Sequence, residues 1–127
     1  LFFGGLLVDR PPASVVKELY TAEREMVERG QAYARARRTL ARCKGEYELA
    51  MSRQLVGLRD EYRNSGERLP SEEMRRAICH QKIGDEYPML LAAEAETDAL
   101  DRLLRVDQAV VSGLQSELRF LQVTELM

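Results

Sequence analysis

The chain has 127 residues, the usual size of one domain, and its hydrophobic fraction of 45% is enough for a core. Aromatic residues make up 6% and Trp is absent, which is ordinary for helical bundles and unusual for a compact mixed fold. The formal net charge of −2 excludes a chain-wide positive excess, so any anion-binding surface has to be local.

The N-terminal stretch, residues 1–12, reads as an apolar tail: Leu1, Phe2, Phe3, Leu6, Leu7 and Val8, closed by Pro11 and Pro12. It lacks a basic region and a cleavage site, so it does not read as a complete signal peptide. Its apolar character predicts docking, either in a groove of a subunit or partner or as a strap over the protein's own core. The rest, residues 13–127, reads as one helical domain.

Ser14 offers an N-cap hydroxyl, and the first helix is predicted over residues 14–63, a span without proline. Leu19, Met26, Tyr33, Leu40 and Tyr47 recur at seven-residue intervals, with Ala22, Ala36, Cys43 and Ala50 three residues later. This is a heptad seam with large residues in one row and mostly small ones in the other. It continues through Met51, Leu55, Leu58 and Tyr62. Gly30, Gly45 and Gly57 each weaken the helix by about 1 kcal/mol relative to Ala.

Asn64-Ser65-Gly66-Glu67-Arg68-Leu69-Pro70 breaks the pattern, and Ser71-Glu72-Glu73 reads as a cap with acids suited to a helix N-terminus. A short helix is predicted over 72–83. Gly84 to Pro88 forms the next boundary, with Pro88 tolerable in a first helical turn. The last helix is predicted over 87–123. In it Leu100, Leu104, Asp107, Val111, Leu114, Leu118 and Leu121 alternate by four and three, with Asp107 the polar member of the row. A second apolar row, Ala99, Leu103, Val106 and Val110, widens the stripe. The pattern predicts an all-α fold: an antiparallel, coiled-coil-like hairpin of two long helices with the short helix at the bend. The widened stripe exceeds what one hairpin covers and predicts a homo-oligomer through Leu103, Val106, Val110, Leu114, Leu118 and Leu121.

The most informative charge cluster is basic. Arg29, Arg35, Arg37, Arg38, Arg42 and Lys44 fall between residues 29 and 45 with no acid among them. Most project from the outer face of the first helix, given the seam through Tyr33 and Leu40. Such a stripe suits nucleic-acid phosphate, where each contact releases counterions. The competing reading is a solvated face, partly neutralised by acids of another helix or subunit. Asp107 either fixes register, as a buried polar residue can, or sits at a wet part of the seam near an arginine of the first helix.

Cys43 and Cys79 have no CxxC spacing and read as reduced thiols rather than a disulfide framework. Cys79 and His80 are adjacent, so on a helix their side chains diverge by ~100°, and no second pair completes a zinc site. No glycine-rich phosphate loop, nucleophile elbow or HExxH occurs. These residues predict no catalytic site, metal or cofactor. No apolar run reaches the ~18–20 residues of a membrane span, and the expected location is the cytoplasm.

Lys44-Gly45-Glu46-Tyr47-Glu48-Leu49-Ala50, Leu69-Pro70-Ser71-Glu72-Glu73, Tyr87 with Ala92-Ala93-Glu94-Ala95, and Leu114-Gln115-Ser116-Glu117-Leu118 together resemble small helical proteins of tailed bacteriophages. The layout over residues 15–121 is similar to that of recombination mediators of the UvsY type. The resemblance implies a non-enzymatic oligomer in the bacterial host cytoplasm. Its basic helical region would serve single-stranded DNA or a recombination protein, with Arg35, Arg37, Arg38, Arg42 and Lys44 on phosphate. The alternative is a protein-interaction module, such as a phage-encoded inhibitor of a host protein or a coiled-coil assembly factor.

Overall fold

The computed structural model describes residues 11–126. Its elements are α1 (Pro12–Ser65), α2 (Glu72–Lys82) and α3 (Glu86–Leu126), and the described residues contain no strand. The apolar run of the N-terminal tail, residues 1–8, lies outside the described residues.

Helix α1 starts two residues before the predicted boundary. Pro12 occupies its first position, where a missing N–H is harmless and a fixed φ is already helical. The Pro11 carbonyl accepts from the Ser14 and Val15 amides at 3.0 and 3.3 Å. Ser14 therefore lies inside the first turn and is not the cap. At the other end Gly66, at φ +76°, turns the chain out of the helix while its N–H donates to the Tyr62 carbonyl at 3.0 Å. Glycine takes this left-handed conformation without the penalty a Cβ would bring. Ser71 caps α2 as predicted, its hydroxyl accepting from the Met74 amide at 3.2 Å. Helix α2 ends at Lys82, one residue early, because Ile83 is extended. Helix α3 runs Glu86–Leu126, longer than predicted at both ends, with Pro88 in its first turn.

The chain divides into two compact units, and both long helices contribute to each. Among the described residues the first comprises 11–34 with 99–126. Within it the two helices run antiparallel: Glu28 and Ala32 lie by Leu100, Arg29 Nε is 2.7 Å from Asp107 Oδ2, and Glu18 and Thr21 lie by Val110 and Leu114. The four-and-three row of α3 is turned inward: Val111 and Leu121 are buried, and Leu100, Leu104, Asp107, Leu114 and Leu118 are half-buried. From α1, Val15 is fully buried and Leu19, Ala22 and Met26 are half-buried.

The second unit comprises residues 35–98. Its main cluster is Met51, Leu58 and Cys79, with Tyr47, Leu55, Tyr62, Ile78 and Ile83 packed against it. Helix α2 thus closes over the C-terminal part of the α1 seam, burying the polarisable Cys79 sulfur as a small apolar group. Elsewhere in this unit α1 and α3 come close where their facing residues are small. Ala36 and Ala93 are buried, and the buried Thr97 hydroxyl lies 2.8 Å from the Ala93 carbonyl and 3.4 Å from that of Ala36. The small row read from the sequence is what permits this approach.

Candidate nucleic-acid face and partner-binding row

Arg35, Arg37, Arg38, Arg42 and Lys44 are all exposed on α1. The inward positions among them are Ala36 and Cys43, both buried, with Leu40 half-buried. Helical spacing then sets the cations apart from the seam. Arg35 and Arg42 share one side of the outer face, Arg37 and Lys44 share the other, and Arg38 lies between. Residues seven apart on a helix are ~10.5 Å apart along the axis, so two flanking rows and a central cation present a broad positive surface. Arg42 Nε is 4.0 Å from Glu46 Oε1, with both side chains more than half exposed. Such a pair contributes little and is readily exchanged for another anion. Glu48, one turn beyond Lys44, is 3.9 Å from Arg76 of α2.

The six residues expected to form an oligomer interface separate into two groups in the first unit. Leu114, Leu118 and Leu121 turn into the seam, Leu121 with 7% of its surface exposed. Leu103, Val106 and Val110 remain exposed at 44%, 58% and 47%. The exposed row continues through Gly113 to Phe120, which is 61% exposed. That extension was legible, since Phe120 lies two heptads beyond Val106. Between α1 and α3 an open groove of about 340 Å³ runs beside this row, with Lys17, Glu18, Thr21 and Glu25 on one wall and Val110 and Leu114 on the other. A second of about 240 Å³ involves Glu25, Glu28, Arg29, Ala32 and Leu100. Neither is enclosed, so both are surface features lined by acids and a cation each rather than small-molecule cavities.

The aromatic group around His80 escaped the sequence reading. Tyr47 Oη and His80 Nδ1 are 2.8 Å apart, and the His80 ring stands edge-on to Tyr87 at 4.4 Å. Three elements supply these rings, so no local pattern announces them. Cys79 is buried beside His80 in sequence and directed into the apolar cluster. The described residues hold no group of three or more His, Cys, Asp or Glu placed for a metal ion, and no helix long and apolar enough to cross a membrane. No protein-family model, curated protein or solved structure matches the chain.

Proposed function

We propose that this chain is a non-enzymatic, self-associating helical protein that assists DNA transactions in a bacterial host cytoplasm, as phage recombination mediators do. The carrying observation is that five cations within ten residues of α1 are all exposed while Ala36 and Cys43 between them are buried and Leu40 is half-buried. In this reading Arg35, Arg37, Arg38, Arg42 and Lys44 contact phosphate, and the partner is single-stranded DNA or a recombination protein bound to it. Backbone contacts of this kind carry no base preference and depend steeply on salt.

The test is fluorescence anisotropy with a labelled single-stranded oligonucleotide at low and moderate salt. Five phosphate contacts predict affinity falling about 100-fold between roughly 50 and 200 mM salt. The triple variant Arg35→Glu, Arg38→Glu, Arg42→Glu should lose most of the affinity and most of the salt slope. Wild-type binding by that variant, with its helicity intact, overturns the reading.

A second reading is favoured by a different observation, the exposed apolar row of α3. On it the chain is a protein-interaction module, an inhibitor of a host protein or an assembly factor. It predicts no oligonucleotide binding at physiological salt and loss of a protein partner on Val110→Glu.

A further inference from the structure

We infer that Leu6, Leu7 and Val8 of the N-terminal tail fold back as a strap over the seam where α1 begins, covering Val15 and the flank of α3 at Glu117 and Leu121. This strap belongs to the first unit alone and is independent of the DNA reading above.

Val15 is 0% exposed. It sits in the first turn of α1, preceded in the helix by Pro12, Ala13 and Ser14. A helical side chain leans toward the N-terminus, so Val15 is aimed past the end of α1 rather than along it. One neighbouring helix does not enclose such a position. Leu19 lies a turn further in, with α3 running past it in both directions, and is only half-buried. Ala22, Met26, Leu114 and Leu118 along the same seam are half-buried too. Burial as deep as that of Val15 recurs in the other unit at Cys79, 1% exposed, where α2 closes over α1 and encloses it. Val15 therefore asks for a covering layer of its own. Val16, beside it in sequence, is 49% exposed, so the cover lies on the seam side.

Helix α3 carries a second mark of the same cover. In its outer row Leu103, Val106, Val110 and Phe120 are all exposed, whereas Glu117 is half-buried and its Oε2 is shielded from solvent. A glutamate is the member of such a row least expected to be covered. In the register set by Arg29 and Asp107, Leu121 stands at the level of Val15, and Glu117 stands one turn away at the level of Leu19. Leu121 is buried and completes the patch. Toward Val110 the groove between the helices is open, so the cover ends near Glu117.

Among the described residues this unit holds only α1 and α3, and the chain that adjoins the patch is the tail. Pro11 and Pro12 stop α1 from continuing outward as helix, so the tail leaves the helix axis here. Extended chain rises ~3.3 Å per residue, so residues 6–10 span ~16 Å. Glu117 lies only ~10 Å along α1 from Pro12, within that reach. Leu6, Leu7 and Val8 are three consecutive apolar residues for an apolar floor of Val15 and Leu121. Asp9 and Arg10 then fall at the reversal, where charged groups keep their water.

Two measurements on the full chain test this. Leu6→Cys, Leu7→Cys and Val8→Cys are each paired with Glu117→Cys and oxidised, and at least one pair should form a disulfide at the monomer mass. The same three paired with Ser116→Cys, exposed on the outer face of α3, should not link, and the wild-type chain controls for the buried Cys43 and Cys79. A disulfide between two chains overturns the in-chain strap and assigns the cover to the tail of a second copy. Equal linking to Ser116→Cys, or no linking by any pair, overturns the docking itself. Hydrogen exchange supplies the second readout. Leu6→Asp combined with Leu7→Asp should speed amide exchange in residues 15–22 and 117–124 about tenfold, the change expected from losing the burial of even one leucine. Residues 47–58 of the other unit should exchange as in the wild type. Unchanged exchange in 15–22 and 117–124 overturns the strap.

Discussion

Arg29 Nε lies 2.7 Å from Asp107 Oδ2, joining the two long helices where the leucine row of α3 admits a carboxylate. The side chains are unequally covered, with 32% of Arg29 and 13% of Asp107 exposed. Loss of the arginine therefore strands a mostly buried charge, whereas loss of the aspartate leaves a cation that can turn to water. Arg29→Leu should lower unfolding free energy by about 1–3 kcal/mol, less than for a fully buried pair. Asp107→Leu should be near neutral, because leucine continues the seam. Urea denaturation of both singles and the double gives the coupling, and strict additivity would show that the contact contributes nothing.

Ala36 sits where α1 and α3 approach within reach of the Thr97 hydroxyl. Ala36→Leu forces a larger side chain into that contact and should destabilise by about 1–3 kcal/mol. Ala41, exposed on the same helix, is the control, and Ala41→Leu should shift the melting temperature little. Equal effects at the two positions would place the helix contact elsewhere.

Tyr47 joins a polar bond to an apolar position. Tyr47→Phe keeps the ring against Tyr87 and removes the hydroxyl from His80 Nδ1, for a loss of about 1 kcal/mol. Tyr47→Ala also empties the edge of the Met51–Leu58–Cys79 cluster and should cost about 3 kcal/mol or more. Comparable melting temperatures for the two variants would contradict this division of roles.

Gly57 and Gly66 should respond in opposite directions to alanine. A Cβ at Gly57 meets nothing within 4 Å, and the position lies inside α1, so Gly57→Ala should stabilise by about 0.5–1 kcal/mol. Gly66 holds φ +76°, and Gly66→Ala should destabilise by about 1–2 kcal/mol. Thermal unfolding monitored by circular dichroism distinguishes the two signs.

Much of the architecture was readable from local chemistry alone. Prolines, the Asn64–Pro70 break and the Ser71 cap delimit the helices because their effects act within a few residues. The heptad rows of α1 and α3 identify the inward faces because helical periodicity places every fourth and third side chain together. The outward position of Arg35, Arg38 and Arg42 follows from the same geometry. The register between helices had no such local signature. Only the tertiary structure decided that Asp107 meets Arg29, that His80 sits between Tyr47 and Tyr87, and that α2 covers Met51 and Leu58. It also divided the broad apolar stripe of α3 into a covered part, Leu114, Leu118 and Leu121, and an open one, Leu103, Val106 and Val110. Sequence marks how wide an apolar stripe is, but the position of the neighbouring helix determines which side of it water still reaches.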